Sequence, residues 1–380
     1  MHTYDVIVIG SGGVGSAALY QLAGRGVRAL AIDRFPPGHE RGSSHGQTRI
    51  IRQAYSEHPN YVPMVLRAYE LWHELEQRRG EQLCFPVGLV QIGPPNGEIL
   101  AGTWASARQH GLELEKLSTD DVSKRFPGFY IPEQFEAVFE STAGYLRVER
   151  CVMAHAEEAA RLGATVLSGE TVRAWRVEHG SVTVDTERER FVAGQLVIAA
   201  GAWANDLLSE LGIPLEVRRK PQYWLRPRAN AFLRQPECPT FMYELPQGIF
   251  YGFPQLDERG VKVAEHTGGA AVTDPLAVDR ELDVEDRARI SRFCQQYLPE
   301  LTSDFLGHSV CMYTMTHDAH FVVDRHPEHA NVAFAAGLSG HGFKFTPMLG
   351  ESLADLVLDG TTRVPMDFLK CDRPALGRAR

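Results

Sequence analysis

The chain has 380 residues, 44% hydrophobic and 23% charged, the composition of an ordinary globular protein with length for two domains of roughly 100 to 200 residues. A formal charge of −9 excludes the broad basic face of a nucleic-acid binder, and no apolar run approaches the roughly 18 residues of a membrane span. The six cysteines (Cys84, Cys151, Cys238, Cys294, Cys311, Cys371) lie far apart without a C-x-x-C pair, and the 15 histidines show no metal-ligand spacing; reduced thiols in a cytoplasmic protein without metal are predicted.

The first predicted elements lie in "YDVIVIGSGGVGSAALYQLAGRGVRALAIDR". Residues 5–9 are almost wholly apolar and rich in β-branched residues, as in a parallel strand buried on both faces, and no basic signal-peptide leader stands before them. Gly10, Gly12 and Gly15 then form G-x-G-x-x-G. The first allows a tight turn, the second lets backbone approach a pyrophosphate, and the third lets helix pack on strand. The helix carries Val14, Ala17, Ala18 and Leu22 on one side and closes at Gly24 and Gly26. A second strand over 29–32 ends in Asp33, whose carboxylate suits a ribose hydroxyl and disfavours the extra phosphate of NADP. Among 35 glycines the bare pattern is weak; strand before, helix after and acid on the next strand make it a dinucleotide-binding unit.

Next comes "GSSHGQTRIIRQAY", with Ser43, Ser44, His45, Thr48, Arg49 and Arg52 in a short span. Alone, it reads as a helix start with solvated arginines. Residues 81–144 and 213–317 are richer in Pro, aromatic and charged residues and alternate in places, which predicts a mostly antiparallel second domain inserted into a first one made of 1–80, 145–212 and 318–380. Within the first domain a hairpin is expected at His179 and Gly180, and a strand over 196–200 running into Gly201. In the second, "GVKVAEHTGG" sets Lys262 and His266 in an alternating strand, and Cys311 on its own is a small core residue. The segment "NVAFAAGLSGHGFKFTPMLGESLADLVLDG" predicts a strand over 332–336, a loop with Gly337, Gly340 and Gly342, and a helix over 346–358. Unpaired N–H groups at that helix start favour negative charge. Lys344 stands at the loop mouth. If Arg49, Arg52, Lys262, His266 and Lys344 converge, an acidic protein has gathered cations in one pocket.

In this order, the glycine fingerprint, "GSSHGQTRIIRQAY", "FMYELPQGIFYGFP", "VKVAEH", "CMYTMT" and "AGLSGHGFKF" span nearly the whole chain and resemble the monomeric sarcosine oxidase and N-methyltryptophan oxidase family. The resemblance implies an α/β and α+β protein: a Rossmann-like FAD-binding domain with an inserted, mostly antiparallel substrate domain. It implies a monomer that oxidises the N-methyl C–N bond of a small amino acid to an imine, reduces O2 to H2O2 and releases formaldehyde after hydrolysis. Position by position, it makes Cys311 the covalent anchor at the 8α carbon of the flavin. Arg52 and Lys344 would hold the substrate carboxylate beside Met242 and Tyr251, and His266, Tyr313, Lys262 and Arg49 would serve catalysis, Lys262 on the flavin face where O2 reacts. Gly10, Gly12, Val14, Gly15, Asp33, Arg34, Ser43, Thr48, Val172, Gly201, Gly340 and Gly342 would contact FAD.

The chemistry agrees with this assignment. An arginine fork fixes a carboxylate through paired charge-assisted bonds, and nearby cations, Lys344 and a protonated His266 among them, would help the substrate ammonium lose its proton. His266 is expected to tune protonation and not to act as an obligatory base. Glu265 stands where relatives often have an aromatic residue; the period of two turns it away from His266. Gln47 replaces a frequent acid, with no consequence legible in sequence. N-methyltryptophan, proline or pipecolate as substrate, or an acceptor other than O2, stay open. A non-catalytic flavin-binding subunit would not need Arg52, Lys344, Lys262 and Cys311 together.

Overall fold

A computed structural model describes residues 2–233 and 238–377. Its first sheet is built on the His2–Ile9 strand, which lies parallel to Ala29–Asp33 on one side and to Arg190–Ile198 on the other. Ile7 and Val8, both fully buried, illustrate why this run has no polar face. Val6 and Val8 join the core beneath helices Gly13–Gly24, Tyr61–Arg79, Val148–Arg161 and Thr346–Leu358, while Ile7 and Ile9 join a second core with Leu207, Leu208 and Leu211. The two-residue period of a strand delivers one set of side chains to each layer.

The Arg190–Ile198 strand has a forked pairing. Its first half pairs antiparallel with Ser181–Thr186, and its last residues pair parallel with Val332–Ala336. The fork brings the Gly201 turn and the Gly337–Gly342 loop to one edge, where Gly10 makes its turn at φ +94. The Gly13–Gly24 helix starts two residues before Gly15, so Gly15 is inside it; a Cβ there would lie 1.9 Å from the Gly10 carbonyl oxygen. The expected strand over 196–200 ends at Ile198, because Gly201–Trp203 begins a short 3-10 turn.

A second sheet of eight strands runs in the order Leu301–Met315, Glu216–Pro227, Val261–Glu265, Gly248–Phe253, Thr240–Leu245, Leu89–Gly93, Glu136–Glu140, Glu115–Leu117. All its pairings are antiparallel except that of Thr240–Leu245 with Leu89–Gly93. On one face Phe250, Val261 and Val263 pack with Phe293 of the Val284–Tyr297 helix, the Phe250 and Phe293 rings stacked at 4.4 Å. On the other face Tyr251, Phe253 and Ala264 meet Ile50 and Tyr145 from a small sheet formed by Thr48–Ile51, Gly144–Arg147 and Cys84–Phe85. The same alternation sends Lys262 and His266 toward that second face. Glu265 points away from it, as expected, and binds Arg289 at 2.5 and 2.9 Å. The fold class expected from sequence is the one observed. No helix among the described residues is long and apolar enough to cross a membrane, and no cluster of His, Cys, Asp or Glu among them could hold a metal.

Candidate active site

A cavity of about 600 Å³ runs along the joint between the two large sheets. At one end it is walled by Gly10, Gly12, Val14, Asp33, Arg34, Val172 and Gly201, at the other by Ser43, Arg49, Arg52, Met242, Tyr251, His266, Tyr313, Gly340, Gly342 and Lys344. Asp33 is fixed by the backbone N–H and hydroxyl of Ser11, at 2.6 and 3.1 Å, and by the N–H of Phe35 at 2.9 Å. Three buried polar atoms on this wall have no partner: Arg34 Nη1, Trp203 Nε1 and Thr346 Oγ1. Buried polar groups are ordinarily bonded, so these are donors held ready for a polar ligand. A long dinucleotide such as FAD fits this end: a glycine turn, an acid for ribose and unsatisfied donors lie along one groove.

The wider end is dominated by cations. Arg52 is 3% exposed. Its Nη2 donates to both carboxylate oxygens of Glu57 at 2.8 and 2.7 Å, and its Nη1 to Ser56 Oγ at 3.0 Å and Gln91 Oε1 at 3.3 Å. Burial alone would raise the Glu57 carboxyl; Arg52, with His341 and Lys344 behind it, pulls it well below the usual carboxylate range. The fork expected to take a substrate carboxylate thus already grips one.

Tyr55 stands between the two cations of this end, its ring 4.7 Å from the Arg52 guanidinium and 5.0 Å from Lys344 Nζ. His341 Nε2 lies 2.9 Å from the Ala319 carbonyl, which can only accept, so Nε2 carries the proton and Nδ1 accepts from Tyr55 OH at 2.7 Å. Tyr55 oxygen then accepts from Lys344 Nζ at 3.2 Å, and His341 oxygen accepts from it at 2.8 Å. With two partners for three N–H bonds, the ammonium keeps one donor to offer. Burial, then the Arg52 charge, pushes the Lys344 pKa down to about 7.

His266 Nδ1 lies 3.4 Å from Tyr313 OH. The Tyr313 ring lies so close to Gly340 that a Cβ there would come within 2.4 Å of it. Burial first, and the Lys220 charge second, push His266 down to about 3. This corrects the expectation of a protonated His266: the ring is neutral and adds no charge to the pocket.

Four expected residues stand behind the wall. Gly15 is within its helix. Lys262, 1% exposed, donates to Gly46 O at 2.5 Å, Thr48 O at 2.9 Å and Thr48 Oγ1 at 3.3 Å, which turns both Lys262 and Thr48 toward each other and away from the cavity. Burial and the Arg49 charge hold the Lys262 pKa well below that of an ordinary lysine. Cys311 lies under Ser43 and Arg49: Arg49 Nη2 donates to its sulfur at 3.1 Å and to Ser43 O at 2.9 Å. Gln47 has a consequence invisible in sequence. Its amide donates to Asp257 at 3.0 Å and accepts from Trp224 Nε1 at 2.9 Å, and an ionised acid could not do the first. Sequence reasoning also missed Tyr55, Glu57, Gln91 and His341. Tyr55 and His341 sit inside motifs already singled out and Glu57 lies five residues past Arg52, so they could have been flagged; Gln91 carries no signal.

A dinucleotide groove that opens into a cationic pocket between two sheets defines a flavin-dependent oxidoreductase. The chain belongs to the FAD dependent oxidoreductase family, whose profile matches residues 5–356, and within it to the group of monomeric sarcosine and N-methyltryptophan oxidases. It is 41% identical to the monomeric sarcosine oxidase of Bacillus sp. (strain B-0618), over 98% of this chain and 97% of that one. It is 36% identical to the N-methyl-L-tryptophan oxidase of Escherichia coli O139:H28 (strain E24377A / ETEC), over 94% and 95%. Among solved structures, the open form of NikD, an unusual amino acid oxidase essential for nikkomycin biosynthesis, superposes with a TM-score of 0.87 at 26% identity, covering 97% of this chain and 98% of that one.

The buried histidines set an acid limit on stability. Burial is the first cause that pushes His45, His155 and His266 down to about 3 and His341 to about 4. The unfolded chain takes up these protons near pH 6.5, the folded chain only near pH 3 to 4. Stability is therefore full above that upper value and falls as the pH drops through the window. Urea midpoints should decline steadily from pH 7 to pH 4; a flat profile would mean that these rings charge in the folded state.

Proposed function

We propose that this chain oxidises small N-methyl amino acids such as sarcosine, converting the N-methyl C–N bond to an imine that water hydrolyses to formaldehyde and the demethylated amino acid, with O2 reduced to H2O2. The observation that carries this reading is the Arg52 fork closed on the Glu57 carboxylate beside a Lys344 with a donor to spare: the pocket is built to bind a carboxylate. The first sheet with its helices, from 1–80, 145–212 and 318–380, would be the FAD domain, and 81–144 with 213–317 the substrate domain. Six free thiols support a reducing, cytoplasmic setting.

Gly10, Gly12, Val14, Asp33, Arg34, Val172 and Gly201 would hold FAD, with Gly15 and Thr48 shaping the turns behind and Ser43, Gly340 and Gly342 nearer the pocket. Bound FAD supplies the acceptor for two electrons from the amine carbon and passes them to O2. The protein does the rest by positioning. A substrate carboxylate would displace Glu57 from Arg52 and take the free donor of Lys344. The cationic end disfavours a second positive charge, so the amine binds more readily without its extra proton. Neutral His266, against Tyr313, can accept a hydrogen bond from it. Met242 and Tyr251 close the wall around the methyl group.

Cys311, with Arg49 donating to its sulfur at 3.1 Å, would be the residue that holds FAD covalently at its 8α carbon. Lys262 is a buried amine held by carbonyl and hydroxyl dipoles, without a carboxylate at hydrogen-bond distance among the described residues. Such a group gains most when negative charge develops nearby, which suits it to the oxygen step.

Four measurements test this. Peroxide release in air should be greatest with sarcosine among sarcosine, N-methylalanine, N-methyltryptophan, proline and pipecolate; silence with all five defeats the reading, and gel filtration of the same sample should give one copy per particle. Lys262→Met should slow reoxidation by O2 about 10² to 10³-fold with little change in anaerobic reduction by substrate, and an unchanged O2 rate would remove Lys262 from that role. After acid precipitation the yellow colour should stay in the wild-type pellet and leave with the supernatant in Cys311→Ser; colour lost from both means that Cys311 only packs.

A further inference from the structure

Lys220 is a buried cation that none of the steps above uses. It lies on the Glu216–Pro227 strand in register with Cys311 and is 3% exposed. Its Nζ donates to three successive backbone carbonyls, those of His266 at 2.8 Å, Thr267 at 2.8 Å and Gly268 at 3.2 Å. It also lies 5.0 Å from the centre of the Tyr313 ring. An ammonium has three N–H donors, and here each has a carbonyl.

Three consecutive carbonyls turned to one point belong to neither strand nor helix. The chain leaves the Val261–Glu265 strand at His266 and turns back through Gly268 and Gly269, at φ +65 and +99. This turn is part of the cavity wall, since His266, Thr267 and Gly268 all line it. Gly269 packs so tightly that a Cβ would lie 3.1 Å from Lys220 Cδ and 2.5 Å from Arg219 O. A neutral donor could tie two of these carbonyls without the cost of desolvating a charge, so hydrogen bonding alone does not account for a lysine here.

What the charge adds is its effect on the pair it touches. Tyr313 has Lys220 over its ring and His266 at its hydroxyl. We propose that Lys220 is a positioning residue of the substrate pocket: its three hydrogen bonds fix the 266–268 turn, and its charge acts on the His266–Tyr313 pair that this turn sets in place, where the imidazole can accept a hydrogen bond from Tyr313 or from a substrate N–H. The second half rests on the reading of the cavity as an amine-oxidising site.

The neighbouring charges agree. His266 also faces Glu57, which favours its protonation, and His341 and Arg52, which oppose it; Tyr251 packs edge-on against the ring. Burial pushes Lys220 itself down to about 8, with Glu265, Cys311 and Asp286 favouring its charge and Arg218 opposing it. Below that pH it is a cation with all three donors in use; above it, one carbonyl loses its partner.

The test uses the FAD-loaded enzyme with ¹³C-labelled histidine, following the His266 ring by NMR from pH 7 to pH 3 and assigning it by its loss in His266→Asn. Lys220→Gln keeps two donors but no charge, and should raise the proton affinity of His266 roughly tenfold and lower kcat/KM for the N-methyl substrate by roughly ten- to a hundredfold. Lys220→Arg should restore the wild-type titration. An unmoved His266 midpoint in Lys220→Gln, or an arginine variant that behaves like the glutamine one, overturns the proposal. Should Lys220→Gln not fold, wild type decides: amide exchange over 266–269, corrected for its intrinsic pH dependence, should quicken between pH 7 and pH 9, and a flat corrected profile counts against the turn being held by this charge. If wild type gives no peroxide with any substrate, the substrate reading fails by itself, and the His266 titration still settles whether Lys220 acts on that ring.

Discussion

Positive charge taken out of water is the constraint around which this structure is arranged. Arg52, Lys220, Lys262 and Lys344 are all buried, and each such desolvation costs of order several kcal/mol. Only Arg52 is given a carboxylate at hydrogen-bond distance. The three lysines are held by carbonyl, hydroxyl and phenol oxygens without a carboxylate at hydrogen-bond distance, and burial lowers the proton affinity of each. Within a chain whose formal charge is −9, one end of the cavity gathers Arg49, Arg52 and Lys344 together with the carboxylate of Glu57. Attraction for a carboxylate, and aversion to an extra proton on a bound amine, come from this one arrangement.

The two large sheets make that arrangement possible by contributing different things. The first presents backbone: turns at Gly10 and Gly201 and the glycine loop before the Thr346–Leu358 helix, all at one edge. The second presents side chains, because strict alternation along Val261–Glu265 puts the valines into its helix-covered core and leaves Lys262, with His266 just beyond, for the opposite face. Arg49 and Arg52 come from the small sheet and the turn after it, wedged between the two. No single element holds more than part of the site, so relative displacement of the sheets would separate the cations from the groove.

Much of this was legible in the sequence because it rests on local pattern. The period of two turned Glu265 away from His266, and the strand, glycine turn, helix and acid at the start needed only short-range chemistry. The partners of the charges were not legible. Glu57 on Arg52 depends on how a short turn folds back, and Lys220 under the 266–268 carbonyls depends on main-chain directions that no residue type announces. Cys311 beneath Arg49 joins positions 262 residues apart. The neutral state of His266 follows from desolvation within the protein and from the Lys220 charge beside it, neither of which composition reveals at a single position.

Gln47 shows how firmly one part of the site is held. It sits at φ +74, an uncommon conformation for a residue with a side chain. Its N–H and that of Gly46 both donate to Glu149, at 3.0 and 2.7 Å, while its amide ties Asp257 to Trp224. The oxygens around Lys262 belong to this same turn. Anchored from several sides, they cannot swing to follow a change of charge nearby, as water would. The dipoles that face Lys262 are thus set in advance by a glutamine that touches neither the cavity nor the lysine.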